Sequence, residues 1–240
     1  MGAQWKHAGR VGNANKKGAL IGKLVKEIIV SAKMGDPNPD NNARLRAAVE
    51  AAKKNSVTRD TIDRALKKGA GLLDDSANFE TVMYEGFAPN KVPVIVECLT
   101  DNKNRTASDI RVLFRKGQLG NSGAVGWMFD RMGVVEATHT DGSLDIESVA
   151  IEAGAQSVEP LPAVDVPAGG VGARFTCDPT DLDAVSKFVS ANQWTVTTAE
   201  LSYIAKNFVE LSPEQLKETT DFLGEIDDHD DVHRIYTAIK

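Results

Sequence analysis

The sequence predicts an α+β protein: an N-terminal three-helix module followed by two α/β domains. These are built from ferredoxin-like split β-α-β units, one inserted in the other. Three observations lead there. Apolar residues recur at helical spacing in three segments before residue 70. Beyond residue 79, strand-sized apolar runs alternate with helical patterns. A helix and a strand at the C-terminus supply what the middle segment lacks. The predicted divisions are a flexible basic tail (1–17), a helical basic domain (18–78), a discontinuous α/β domain (79–132 with 207–240) and an inserted ferredoxin-like domain (133–206).

Residues 1–17 are poor in apolar side chains and rich in Lys, Asn and Gly, a composition that does not hold a fixed structure alone. From Lys16 to Lys33, Leu20, Leu24 and Ile28 recur every four residues. Ile21, Val25, Ile29 and Ala32 widen that face, and Lys23, Lys26 and Lys33 fall opposite it. Gly35 and the turn Asp36-Pro37-Asn38-Pro39-Asp40 stop this helix. A second helix spans Asn42 to Lys54 on Leu45, Ala48, Val49 and Ala52. A third spans Arg59 to Lys68 on Ile62, Ala65 and Leu66, with Thr58 as N-cap and Arg64, Lys67 and Lys68 outward.

Thr81 to Gly86 and Val92 to Thr100 then read as strands, Asn104 to Lys116 as a helix and Ala124 to Arg131 as a strand. Next come strand Val134 to Thr138, helix Leu144 to Ala153, and strands Ser157 to Leu161 and Gly172 to Cys177. A helix from Thr180 to Ala191, capped by Asp178-Pro179, and strand Trp194 to Ile204 complete a β-α-β-β-α-β order. Ser212-Pro213-Glu214-Gln215 is a capping box opening a helix on Leu216, Phe222, Leu223 and Ile226. Val232 to Ile239 is a closing strand.

The charge is split along this order. Residues 1–73 hold 15 Lys+Arg and 6 Asp+Glu, a net of +9, whereas residues 74–240 carry −15, giving −6 overall. A local basic module attracts a polyanion even on an acidic protein, because the potential falls off within about 10 Å at ordinary ionic strength. The competing reading is a solvated lysine face kept for solubility. The candidate contacts are Lys6, Arg10, Lys16, Lys17, Lys23, Lys26, Lys33, Arg44, Arg46, Lys53, Lys54, Arg59, Arg64, Lys67 and Lys68. Trp5 is the one aromatic residue in the first 78 positions, so phosphate contact rather than base stacking is expected of this module.

Other chemistries find little support. No apolar run approaches the ~20 residues of a membrane span. The N-terminus has no signal-peptide core, and Lys6 spoils a myristoylation pattern. A cytoplasmic protein with two buried, reduced thiols, Cys98 and Cys177, is expected. The Asp36–Asp40 segment lacks the Gly and Glu of a calcium loop. His229 and His233 sit four apart in an acidic turn, without the intervening Glu of a zinc protease. Gly117, Gly120 and Gly123 precede a strand, which suits a turn better than a phosphate cradle. No nucleophile–base set stands out, so neither catalytic residues nor a metal, cofactor or small-molecule substrate is expected. One enzyme-like lead remains. Asn102, Asn104, Arg105 and Thr106 sit between a strand end and a helix start, where an anion could bind, although capping and domain joining explain them better.

Several strings together resemble the YebC/PmpR family. They are Lys16-Lys17-Gly18, Asn42-Ala43-Arg44-Leu45-Arg46-Ala47-Ala48, Ile62-Asp63-Arg64-Ala65-Leu66-Lys67-Lys68-Gly69 and Tyr84-Glu85-Gly86-Phe87. Val96 to Thr106, Ser122 to Phe129, and the end from Leu211 through Asp227, Asp228, Val232 and Tyr236 fit too. The resemblance spans nearly the whole chain. It implies three domains and a cytoplasmic, bacterial, non-enzymatic transcriptional regulator that binds DNA. Relatives in that family include a mitochondrial translational activator, and bacterial members act in translation of proline-rich stretches, so ribosomal RNA is the alternative polyanion. The chain departs from the family at its start, where Gln4 replaces Lys before Trp5 and Val11-Gly12-Asn13-Ala14 is neutral.

Overall fold

A computed structural model describes residues 14–73 and 79–239. Lys6, Arg10 and the predicted tail up to residue 13 lie outside the described residues, as do residues 74–78. Among the described residues, no helix is long and apolar enough to cross a membrane.

The chain forms two compact units. One takes residues 14–30, 71–73, 79–130 and 203–239; the other takes 31–70 and 131–202. The three predicted N-terminal helices are present: α1 (Ala14–Met34), α2 (Ala43–Lys54) and α3 (Arg59–Gly69). Residues of α1 up to Val30 belong to the first unit, whereas α2 and α3 belong to the second.

In the first unit, β1 (Glu80–Ala88) and β2 (Val92–Thr100) form an antiparallel hairpin. Every residue of β2 is buried, the apolar run Val92 to Val96 as well as Glu97 and Thr100 beyond it. Helix α4 (Lys103–Leu113) starts where the Asn102 side chain accepts from the Arg105 N–H at 3.1 Å. A two-residue strand β3 (Gln118–Leu119) edges the sheet. Further along the chain, helix α7 (Pro213–Asp227) opens on the predicted capping box, with both reciprocal bonds formed. Strand β8 (Val232–Thr237) then pairs with β2, giving the order β3-β1-β2-β8. One apolar cluster joins Val94, Val96, Ile110, Phe114, Phe222 and Ile235. The other joins Ile95, Val125, Phe129 and Tyr236.

In the second unit, β4 (Phe129–His139), α5 (Ile146–Ala153), β5 (Ser157–Pro160), β6 (Val171–Cys177), α6 (Leu182–Ala191) and β7 (Thr195–Ala205) follow the predicted order. Their sheet order is β5-β6-β4-β7, the ferredoxin-like arrangement. Its core of Val135, Phe175, Val185, Val189 and Trp194 also receives Ala43 and Ala47 of α2. Cys98 and Cys177 are free and buried.

Three local expectations are corrected. The predicted strand Ala124–Arg131 is a loop and a short 3-10 turn (Gly126–Met128), with the strand starting at Phe129. Its N–H groups at Gly123, Val125 and Gly126 donate to the Glu85 carboxylate and so are withdrawn from any ladder. Helix α6 starts at Leu182, not Thr180, because the Asp178 carboxylate closes a local turn onto Thr180 instead of capping the helix. Leu216 of α7 faces solvent rather than the core.

Candidate nucleic-acid interface

The basic residues of the first 73 positions meet three different fates. On α1, Lys23 donates to the Asp227 carbonyl. Lys26, one-fifth exposed, donates to the Asp230 carbonyl at 3.0 Å and forms an ion pair with Asp231 at 2.8 Å. These two lysines lie opposite the apolar stripe, yet they do not face open solvent, because the C-terminal end of α7 and the turn after it supply acceptors. Lys16 and Lys17 fall in the first turns of α1, and Lys33 is exposed in the last.

On α2 the cations are divided. Asn42 caps the helix by accepting from the Leu45 N–H at 3.0 Å and ties back to the Ser31 and Asp36 carbonyls. Arg46 is spent locally. It donates to the Pro39 and Asp40 carbonyls at 3.1 and 3.3 Å and lies 3.5 Å from Asp183. Arg44 is half-buried. Lys53 and Lys54, in the last turn, are exposed, with Lys53 paired to Glu50 across one turn at 2.7 Å.

Asn55, Ser56, Val57 and Thr58 connect α2 to α3. Ser56 takes a positive φ of 61°, and buried Val57 anchors the turn. Thr58 accepts from the Thr61 N–H at 3.3 Å and caps α3 as predicted. Ile62 and Ala65 face the core, leaving Arg59, Arg64 and Lys67 exposed; Lys68 is half-buried. The acids Asp60 and Asp63 sit in the first half of α3 and the bases Arg64, Lys67 and Lys68 in the second. Arg59 is partly neutralised by Asp63 at 3.8 Å. The exposed cations that the second unit brings onto one helix pair are therefore Lys53, Lys54, Arg59, Arg64 and Lys67.

The other predicted anion site, at residues 102–106, already holds an anion belonging to the protein. Asp231, 4% exposed, accepts from Arg105 at 2.8 Å, from the Thr106 hydroxyl at 2.9 Å and from Thr100 at 3.3 Å, in addition to Lys26. Burial alone would push its carboxyl up. The bonds from Lys26, Arg105 and Thr106 outweigh burial and hold it far below the usual carboxylate range. A cavity of about 620 Å³ opens beside it, but Asp101, Asp109, Asp228 and Asp230 line the rim, and that charge repels an external phosphate. Asn104 is exposed there. His229 sits against Asp109 at 3.3 Å, and His233 lies 2.9 Å from buried Glu27. Nothing in the sequence distinguishes Asp231 from its acidic neighbours; the one available signal is its place just before the closing strand.

Two further features escaped sequence reasoning. Glu85 accepts three backbone N–H bonds at 2.7–2.8 Å. Burial would raise its pKa, but those bonds lower it on balance. Arg174 and Glu136 form an ion pair across the second sheet, extended by Thr198 donating to Glu136 at 3.0 Å.

Sequence models of known families match nearly the whole chain. One, described as the TACO1/YebC protein N-terminal domain, matches residues 3–72. Another, described as the TACO1/YebC second and third domain, matches residues 79–239. A "Probable transcriptional regulatory protein" of Pseudomonas syringae pv. tomato is 52% identical over 241 aligned residues, covering 100% of this chain and 99% of that protein. One of the same description from Bdellovibrio bacteriovorus is 50% identical and covers 100% of both. The crystal structure of a conserved hypothetical protein from Aquifex aeolicus is similar at a TM-score of 0.83 and 34% identity, over 99% of this chain and 96% of that one.

Proposed function

The chain belongs to the TACO1/YebC family, and from that premise we propose that it is a non-enzymatic, cytoplasmic regulator of gene expression that binds DNA through the phosphate backbone. The observation that carries this reading is the exposed cation set on α2 and α3, Lys53, Lys54, Arg59, Arg64 and Lys67, within a chain whose remainder is acidic. Relatives about half identical over their full length are described as probable transcriptional regulatory proteins, which supports a regulatory role and DNA as the polyanion.

Helices of 12 and 11 residues joined by a four-residue turn have the spacing of a helix-turn-helix. A recognition helix reads bases with its N-terminal residues. Here that stretch carries Asp60 and Asp63, which repel phosphate and accept few base-edge donors. Contact in this reading is made by the exposed cations of α2 and α3 and is to the phosphate backbone. In this reading residues 18–78 act as the binding domain. Residues 79–132 with 207–240, and 133–206, act as its scaffold; Arg105 and Thr106 serve Asp231 rather than a ligand, and Asn102 caps α4.

Backbone contact of this kind also suits ribosomal RNA, which is the second reading. Two measurements separate them. A 20-base-pair DNA duplex titrated against salt should show affinity falling log-linearly, and the absence of salt-dependent binding would refute the proposed surface. Sedimentation of cell lysate at low salt reports on the second reading, since co-migration with ribosomal particles is its requirement.

A further inference from the structure

Trp127 is 67% exposed, whereas Val125 and Phe129 on either side of it are buried to 0% and 4% exposure. The chain thus anchors both flanks and holds one large aromatic ring out. An indole left in water forfeits roughly 2 kcal/mol of burial and is uncommon on a soluble surface without a reason.

The loop that carries it is built rather than slack. The Glu85 carboxylate receives the N–H groups of Gly123 at 2.8 Å, Val125 at 2.8 Å and Gly126 at 2.7 Å. The Gly120 N–H donates to the Glu85 carbonyl at 2.8 Å, and the Met128 N–H to the Val125 carbonyl at 2.8 Å. Lys206 N–H donates to the Met128 carbonyl at 2.9 Å, tying the loop's end to the strand that returns from the second unit. Gly123 supplies the positive φ of 86° that the turn needs. The indole N–H is itself spent on the Ala124 carbonyl at 3.3 Å. What the ring offers a partner is therefore its π face, in a fixed orientation.

The thirteen residues from Gly117 to Phe129 contain no charged side chain, and the Glu85 carboxylate that receives the loop's N–H groups keeps its negative charge, because those bonds lower its pKa. Asn121 and Ser122, both exposed, add an amide and a hydroxyl. Of the cations near the loop in sequence or space, Lys206 is paired with Asp130 at 3.3 Å, and Arg131 follows the loop exposed. This loop does not gather phosphates. A preorganised aromatic face on a loop without cationic side chains, with adaptable polar neighbours, fits a flat π system, and every nucleobase has one. We propose that Trp127 is a stacking platform for an unpaired nucleobase of the bound nucleic acid, a site separate from the phosphate-binding helices. The proposal rests on the nucleic-acid reading above, and it adds a contact that a duplex cannot make.

The test uses the full chain and four probes: a dA12 strand, an rA12 strand, an abasic 12-mer with the same phosphates, and a blunt duplex. Tryptophan fluorescence is followed together with affinity. Every protein in the test carries Trp5→Phe, so that a change in signal reports on Trp127, and Trp194, 3% exposed, serves as an internal reference. Quenching by dA12 or rA12 but not by the abasic strand, lost in Trp127→Phe, is the expected result; the preferred strand distinguishes DNA from RNA as the source of the base. Trp127→Ala should weaken binding of that strand about tenfold while leaving duplex and abasic binding unchanged. Trp127→Phe should recover part of that loss, because a smaller ring still stacks. The tenfold factor should persist as salt rises, since stacking releases no counterions. Equal quenching in Trp127→Phe, or equal affinity in Trp127→Ala, overturns the stacking site alone, provided the duplex still binds. Quenching that follows protein concentration without nucleic acid assigns the ring to self-association and overturns it too. Failure of every probe to bind overturns the nucleic-acid reading and this site together.

Discussion

Lys26 on α1 and Lys54 on α2 are alike in sequence: each is a lysine on the polar side of an amphipathic helix in the same basic stretch. The fold treats them oppositely. Lys26 is a cross-link, bound to the Asp231 carboxylate and the Asp230 carbonyl. Lys54 ends its helix in solvent. The difference teaches that a charge count overstates a binding surface, because the fold consumes some of the cations. What distinguishes the two is the set of acceptors brought by residues two hundred positions away. Among the described residues, the α2–α3 pair carries Lys53, Lys54, Arg59, Arg64 and Lys67 exposed.

The largest effect expected from this contrast lies on the consumed side. Asp231→Ala leaves Lys26 and Arg105 without their buried acceptor and should lower unfolding stability by about 3–5 kcal/mol, read by denaturant titration. The same carboxylate sets an acid limit. Its pKa is depressed in the folded state, so its contribution is complete above the ordinary Asp value of about 3.9 and is lost as pH falls below it. Asp231→Asn should flatten stability across that acidic window and leave the profile above pH 5 unchanged in shape.

Next in size is the available side. Arg64→Glu with Lys67→Glu reverses two exposed charges on α3 and should reduce duplex affinity by on the order of tenfold or more at low salt. The slope of log affinity against log salt should become shallower by about 2. Melting temperature should stay within the range of ordinary surface changes. A smaller pair of changes splits the comparison directly. Lys26→Ala should cost about 1–2 kcal/mol of stability and leave duplex binding intact. Lys54→Ala should do the reverse, within about 0.5 kcal/mol in stability but a few-fold weaker in binding. If both substitutions weaken binding equally, the distinction between consumed and available lysines fails.

The smallest effect concerns the thiols. Burial pushes Cys98 up to about 12, with Asp231 and Glu97 adding to it, and Cys177 up to about 11. Neither should react with a thiol reagent at pH 8 until the chain unfolds. Rapid native labelling of Cys98 would show that the environment of Asp231 opens readily.

Much of the fold was legible because its signals are local. Val92–Thr100 was found to the residue, since an apolar run of strand length has few other uses. The Ser212 capping box and the Thr58 cap are contacts three residues long. Two of the failures share one cause, a partner far away in the sequence. The segment after Asn121 has strand-like composition, but its hydrogen bonds go to Glu85, about forty positions back. The end of α7 is a run of acids in which only Asp231 turns inward, a choice made by Arg105 and Thr106. Among candidate contacts, sequence could mark the polar side of a helix. It could not say which of those side chains the far end of the chain would claim.

The bond from Lys26 to Asp231 spans 205 positions, and β8 pairs with β2 only once the last residues exist. During synthesis at about 5–20 residues per second, α1 emerges some ten to forty seconds before its partner carboxylate is made. For that interval Lys23 and Lys26 belong to the open basic surface, and the β2 edge that β8 will cover has no neighbour. Arrival of the final strand closes the sheet and withdraws both lysines in one event. A nascent chain, or one clipped before Asp231, is therefore stickier toward polyanions than the finished protein.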